Sequence, residues 1–205
     1  MCWKYRLACV FVLMLLANSC SSRLGMPDVS RMKRQTNLMQ QLMKEPDLPA
    51  WYEERQKVTQ ALGDRVFDKS FKDVFDAITI ALGTLEVNVS NMERESGFIA
   101  ATGRLLHPNV AKQLRRERLV QYCRYHGYDP SLLEKKKGDY MDPDMMGGME
   151  TMMTNLTISV VKQGSKQAKV KLRFKGIYYP EVLKKHYERV WPAIDRQIFL
   201  DKSLD

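Results

Sequence analysis

The residue types best suited to chemistry in this 205-residue chain form a methionine-rich run. Thioether sulfur is a soft ligand that suits Cu(I), and Asp142 and Asp144 add carboxylates beside the run. Methionine is also the flexible side chain of adaptable protein-binding surfaces. The run therefore predicts either a copper site or a docking segment for a partner protein. Its members are Met141, Met145, Met146, Met149, Met152 and Met153.

A second candidate site is a basic helix, which we predict over Asn109 to His126. A basic helix can lie on a membrane surface or meet an acidic partner. The other interpretation is a solvated helix that covers part of the sheet. Our candidate partner-binding residues combine this helix with the methionine run: Lys112, Arg115, Arg116 and Arg118, with Met141, Met145, Met146 and Met149.

The remaining reactive residue types show no catalytic arrangement. The three histidines have no ligand spacing to one another, and we expect His186 to lie on the surface of the last helix. Cys123 lies three residues before His126, but no third group orients this pair. The sequence contains no G-x-S-x-G, no CxxC and no glycine-rich phosphate loop. We therefore expect no enzymatic activity and no cofactor.

The first twenty residues, MCWKYRLACVFVLMLLANSC, have the pattern of a secretory signal. Their apolar stretch, from Leu7 to Ala17, is too short for a permanent membrane span, which needs about 20 residues. The ending LANSC resembles the bacterial lipobox. This resemblance implies that Cys20 is lipidated and becomes the first residue of the mature protein. The alternative is a plain signal peptide that is cleaved near Ser19.

Lipidation at Cys20 predicts a membrane-anchored protein that faces the periplasm. Ser21 follows the cysteine in place of Asp, which favours the outer membrane under the standard sorting rule of Gram-negative bacteria. Only Lys4 and Arg6 leave with the signal, so 31 of the 33 basic residues remain against 24 acidic ones, a net charge of +7. In the periplasm this charge favours anionic lipid headgroups or acidic proteins over nucleic acid.

Length and composition divide the chain into three parts. Residues 1–19 are the signal peptide, residues 20–50 a lipid-anchored tether, and residues 51–205 a single domain with an insert at about 106–150. The tether is polar and contains three prolines. Arg31 to Lys44 can form a short helix, but its apolar stripe is thin, so we expect this helix to be marginal alone and able to dock on a partner. Extended, the tether would hold the domain on the order of 80 Å from the membrane. Cys123 has no partner within the domain, so it is either buried or free to pair between chains.

Hydrophobic periodicity predicts the elements of the domain. Ser70 is a good N-cap for the first helix, Gly97 marks a turn with positive φ or a bulge, and Pro192 should kink the last helix. The order β-α-β-β-insert-β-β-α predicts an α+β fold, in which both helices pack on one face of an antiparallel sheet. The segments are a strand near Val66, a helix over 71–85, hairpins over 87–103 and 154–179, and a helix over 180–200.

Three segments of this pattern, FKDVFDAITIALGTLEV, NMERESGFIAATG and HYERVWPAIDRQIFL, resemble the helix-grip domains of envelope lipoproteins. They are similar to the domains of a lipoprotein component of the outer-membrane β-barrel assembly machinery. The resemblance covers roughly residues 66–105 and 151–200 and includes no catalytic motif. It implies a non-enzymatic subunit or scaffold of a multiprotein envelope assembly, such as a secretion or outer-membrane assembly machine. A periplasmic lipoprotein that binds Cu(I) is the alternative.

Overall fold

Our computed structural model describes residues 28–134 and 153–201, and these residues form five α-helices and one five-stranded sheet. The helices are α1 (Val29–Lys44), α2 (Pro49–Leu62), α3 (Phe71–Thr84), α4 (Pro108–Tyr125) and α5 (Pro180–Asp201), with a single 3-10 turn at Pro130–Leu133. The strands are β1 (Asp64–Phe67), β2 (Asn88–Glu93), β3 (Phe98–Gly103), β4 (Thr154–Lys162) and β5 (Ala168–Lys175).

The five strands lie in the order β1-β5-β4-β3-β2, and every neighbouring pair is antiparallel. The two predicted hairpins, β2–β3 and β4–β5, join through β3 and β4 in the middle of the sheet. The first strand then completes the sheet by pairing with the last one. The predicted α+β class is confirmed, and from β1 onward the elements follow the predicted order; the two helices that precede β1, α1 and α2, were not part of it.

Strand alternation correctly predicts which face of the sheet is buried. Ala168, Val170 and Leu172 of β5 are fully buried, while Lys169 and Lys171 between them are not. Successive side chains of a strand point to opposite faces, so the two sets separate cleanly. The apolar stripes of two helices supply the other layer of the core, namely Val74, Phe75, Ile78 and Leu82 of α3 and Leu183, Tyr187, Val190, Trp191, Ile194 and Ile198 of α5.

Two local features expected from the sequence are present. The Oγ of Ser70 caps α3 by accepting a hydrogen bond from the backbone N–H of Asp73 at 3.2 Å. Gly97 has a φ of +71°. A Cβ at this position would lie 2.2 Å from the carbonyl oxygen of Val160. The β2–β3 turn therefore requires glycine both for its backbone angle and for the close approach of β4. The predicted last helix is also present, and it continues through Pro192 as far as Asp201.

The described part of the predicted tether, residues 28–50, is folded, which corrects that prediction. It forms α1 and the first residues of α2. Leu38 and Leu42 of α1 are buried, with 1% and 6% of their surface exposed. The helix is therefore part of the domain, and the rest of the predicted tether, residues 20–27, lies outside the described residues.

Polar side chains explain why the packing of α1 was not predicted. Two of its four buried positions are Arg31 and Gln35. Arg31 donates a hydrogen bond to the carbonyl of Ser131 at 2.9 Å, and Gln35 donates one to the carbonyl of Leu132 at 2.9 Å. An apolar pattern does not count such residues, although their hydrogen bonds satisfy the polar groups that burial removes from water.

Candidate docking surfaces

The predicted basic docking helix is α4, and it does not present its cations on one surface. Lys112 and Arg116 are exposed, whereas Arg115 and Arg118 retain only 8% and 4% exposure. This corrects the prediction that all four side chains are available to a partner. The helix carries cations on two of its faces, and one of these faces packs against the domain.

Arg118 connects α4 to the segment between α1 and α2. Its Nη2 donates a hydrogen bond to the carbonyl of Pro46 at 2.9 Å. Its guanidinium lies 5.8 Å from the ring centroids of both Trp51 and Tyr178. One turn later, the hydroxyl of Tyr122 donates to the carbonyl of Glu45 at 2.7 Å. Arg118 is therefore a structural residue, and reversing its charge would disturb folding before it disturbed any docking.

Cys123, the free cysteine of the described residues, is fully buried on α4. Burial raises the pKa of its thiol to about 11. The thiolate is the reactive form of cysteine, so this thiol is a poor nucleophile at neutral pH. Of the two outcomes expected from the sequence, burial is the one observed.

The prediction that His186 lies on the surface is wrong, because its side chain is completely buried. Its Nδ1 lies 2.5 Å from the carbonyl oxygen of Val182, and its Nε2 lies 2.6 Å from Oγ1 of Thr154. Because a carbonyl can only accept, Nδ1 must carry the proton, and Nε2 then accepts from the threonine hydroxyl. The neutral imidazole thus ties α5 to the first residue of β4.

Acid should destabilise the protein through His186. Burial lowers the pKa of its imidazole, and this outweighs the hydrogen bond to Val182, which raises it; the folded-state pKa is below the ordinary value of 6.5. Between these two pKa values the unfolded chain binds more protons than the folded one. We therefore expect the His186 contribution to stability to be complete above about pH 6.5 and to be lost as the pH falls below it. Urea unfolding at pH values of about 7.5, 6 and 5 measures this effect.

A His186→Gln variant is the matched control for this titration. We expect it to be less stable than the wild type at the highest pH and to lose less stability on acidification. If the wild type and the variant lose the same free energy of unfolding between the highest and lowest pH, another group causes the acid sensitivity.

On the other face of the sheet, none of the outward-facing side chains of the described strands is buried. The strand registers place these side chains in rows across the five strands. We call this surface the open sheet face. It consists of Asp64 and Val66 of β1, Lys169, Lys171, Arg173 and Lys175 of β5, Asn155, Thr157, Ser159 and Val161 of β4, Phe98, Ala100 and Thr102 of β3, and Asn88, Asn91 and Glu93 of β2.

Four cations of β5 run along the open sheet face, and Asp64 neutralises part of their charge. Its carboxylate lies 2.9 Å from the Nζ of Lys169 and 2.8 Å from the Nη2 of Arg173. Desolvation raises the pKa of Asp64, but the hydrogen bonds and charges of these two cations outweigh it, so the pKa is below its usual value. Among the described residues, no carboxylate lies within 4 Å of Lys171 or Lys175.

On the β4 side these two lysines face small polar side chains, while on the β1 side Asp64 lies opposite Lys171. Ser159 lies opposite Lys171 and Asn155 lies opposite Lys175 in the register of β4 and β5. The exposed apolar area on this part of the face is limited to Val66 and Val161 on either side of Lys169. A surface that is positive, rich in hydrogen-bonding groups and poor in apolar area suits an acidic, polar partner.

Several predicted functional residues lie outside the described residues. Cys20 is one of them, and so are Met141, Met145, Met146 and Met149, so lipidation and both interpretations of the methionine run stay predictions. Within residues 28–134 and 153–201, no group of three or more His, Cys, Asp or Glu side chains could hold a metal ion. Over the same ranges, no helix combines the length and the apolar character that crossing a membrane requires.

The fold and its surface together define a two-layer α+β domain, which buries one face of its sheet under helices and exposes a basic face on the other side. Comparison with known proteins adds no relative: no family model, no curated protein and no solved structure matches the chain.

Proposed function

We propose that the protein is a non-enzymatic, lipid-anchored subunit or scaffold of a multiprotein cell-envelope assembly, held at the bacterial outer membrane and facing the periplasm. The lipid on Cys20 is its anchor. Its partner is another envelope protein, which docks an acidic surface on the open sheet face. The observation that carries this proposal is the pair Lys171 and Lys175, two cations of the open sheet face that form no ion pair with a carboxylate of the described residues.

The chemistry of the described residues favours docking over catalysis. The polar groups that are buried, such as His186 and Arg118, have hydrogen-bond partners within the fold and hold its elements together. The cations of β5, in contrast, lie on the outward face of a hydrogen-bonded sheet, which keeps their spacing fixed. Preorganised charge on a rigid surface increases the rate of association with a complementary partner and fixes its orientation.

Reversal of Lys171 and Lys175 to glutamate tests the docking surface. Like charges placed across an interface cost several kcal/mol, so recovery of the partner with the tagged protein from mild detergent should fall by about tenfold or more. Increasing salt should weaken the wild-type complex, because exposed charges are screened over about 8–10 Å at physiological ionic strength.

The matched control reverses Lys72 and Lys184, two exposed lysines on α3 and α5, and so changes the net charge by the same amount. This control should recover the partner like the wild type. Equal loss in both variants would indicate a general charge effect, and no loss in the Lys171 and Lys175 variant would place recognition elsewhere.

Cys20→Ala tests the anchor. We expect this variant to lose incorporation of labelled palmitate, because the thioether to the lipid forms on the cysteine sulfur. It should then fractionate with the soluble periplasm or remain as an uncleaved precursor in the inner membrane. Ser22→Ala is the control, since it changes a neighbouring small residue and keeps the cysteine. Palmitate labelling of Cys20→Ala at the wild-type level would contradict the lipoprotein assignment.

A further inference from the structure

The outer face of α1 is positively charged, and the helix contains no acidic residue from Val29 to Lys44. The buried stripe of α1 consists of Arg31, Gln35, Leu38 and Leu42. At 3.6 residues per turn, the side of the helix that faces away from this stripe presents a separate set of residues. We call it the α1 outer face: Val29, Ser30, Lys33, Thr36, Asn37, Gln40, Met43 and Lys44.

Two of these residues are apolar and unusually accessible. Val29 is 75% exposed and Met43 is 73% exposed, and they lie near opposite ends of the helix. Lys33 and Lys44 are exposed beside them. Apolar side chains next to lysines, on a helix without acids, are typical of helices that lie in the interface of an anionic membrane.

The acidic residues nearest to α1 do not occupy its outer face. Asp28 is the N-cap and accepts a hydrogen bond from the backbone of Arg31. Glu45 follows the helix and accepts one from Gln41 at 2.9 Å. Asp129 belongs to the loop before the 3-10 turn and accepts hydrogen bonds from Ser131. These carboxylates flank the helix, so the positive charge of Lys33 and Lys44 is directed outward.

The chain between the anchor and α1 is short. Seven residues separate Cys20 from Asp28, so the Cα atoms of these two residues lie at most about 29 Å apart when the chain between them is fully extended. A compact domain of this size is about 40 Å across. The domain therefore cannot leave the membrane by more than its own width, and α1 is the element that the tether holds nearest to the lipid.

We propose that the α1 outer face lies on the membrane surface and binds the phosphate groups of anionic phospholipids through Lys33 and Lys44. Val29 and Met43 enter the boundary between headgroups and acyl chains. This proposal rests on the lipid anchor at Cys20. Because the tether keeps the helix at a high effective concentration beside the headgroups, contacts too weak to recruit a free protein are sufficient to orient an anchored one.

The test uses the mature chain, residues 20–205, with Cys20 coupled to a maleimide-bearing phospholipid in preformed vesicles. Coupling is selective, because Cys123 is completely buried and the other two cysteines precede residue 20. One set of vesicles contains phosphatidylglycerol in phosphatidylcholine, and the other contains phosphatidylcholine alone. The rate at which an amine-reactive reagent modifies each lysine is measured by mass spectrometry. Lys166, exposed in the β4–β5 turn, is the internal reference.

For each vesicle type, the modification rates of Lys33 and Lys44 are divided by the rate of Lys166. On phosphatidylglycerol vesicles we expect this ratio to be at least about threefold lower than in the protein free in solution, and on phosphatidylcholine vesicles we expect it to be nearly unchanged. High salt should remove the protection. Val29→Glu with Met43→Glu should abolish it. Ile80→Glu with Val110→Glu, which alters two exposed apolar residues on other surfaces, should leave it unchanged.

Equal reactivity of Lys33 and Lys44 on the two vesicle types would overturn the proposal, and so would equal protection of Lys166. Protection that survives the Val29 and Met43 changes would also overturn it. Because the lipid is attached chemically, these outcomes do not depend on lipidation in the cell. The Cys20→Ala and Lys171 and Lys175 experiments therefore remain separate tests of the proposed function.

Discussion

Replacing Trp191 with alanine is expected to lower the free energy of unfolding by roughly 3–5 kcal/mol. The indole is 1% exposed, and its Nε1 donates a hydrogen bond to the carbonyl of Leu62 at 2.6 Å. The guanidinium of Arg65 lies 4.6 Å from the ring centroid, and the ring of Phe67 lies 6.2 Å away. Truncation removes a large buried surface, leaves a cavity between α5 and β1, and deprives a buried carbonyl of its donor.

Two variants make this measurement specific. Phe199→Ala lies on the same helix but alters a side chain that is 71% exposed, so it should change stability by less than about 0.5 kcal/mol. Trp191→Phe keeps most of the packing and loses the hydrogen bond, so it should fall between the other two. Urea unfolding followed by circular dichroism gives all three values. A cost below about 1 kcal/mol for Trp191→Ala would contradict the packing of α5 on the sheet.

Replacing Gly97 with alanine is expected to cost about 3 kcal/mol or more, although only one methyl group is added. The φ of +71° is unfavourable for alanine. The new Cβ would also lie 2.2 Å from the carbonyl oxygen of Val160 and 2.9 Å from the ring of Phe71. Because the carbonyl belongs to the backbone of β4, it can move only if the β3–β4 pairing yields.

Gly127→Ala separates the two causes. Its φ of +72° matches that of Gly97, but a Cβ there would meet nothing within 4 Å. This variant therefore carries the backbone penalty alone, about 1 kcal/mol. The difference between the two losses in free energy of unfolding measures the cost of the steric contact between the added methyl group and β4. Equal costs would show that the β2–β3 turn does not press against β4 as described.

The elements with clear alternation or helical periodicity could be predicted from the sequence. Ala168 to Lys175 alternates without interruption, and α3 repeats its apolar residues at helical spacing after the Ser70 cap. In both cases the burial of each side chain follows from local spacing alone, since one face of the element meets one core. The same pattern placed the lysines of β5 on the outward face.

The positions of the buried polar groups could not be predicted, because their partners are distant in the sequence. Arg118 is held by the carbonyl of Pro46, 72 residues away, and His186 by the hydroxyl of Thr154, 32 residues away. A charged residue counts as exposed in a periodicity argument until its acceptor is known. For this reason the burial of Arg115 and Arg118, two of the four cations predicted to dock a partner on α4, was not predicted. The open sheet face could be recognised as the better candidate only once the positions of the helices were known.

The order of the strands has a consequence for how the molecule forms. The central strand of the sheet, β4, begins at Thr154, and β1 has no neighbour until β5 has been made. A chain that crosses a membrane with its N-terminus first, as we propose for this one, therefore emerges with helices and one hairpin but without a closed core. Non-local pairing of this kind is slow, because the intervening loop must close first. If the chain is exported in this way, its sheet can be completed only after β5 has crossed the membrane, so we expect the domain to fold after most of the chain has been translocated.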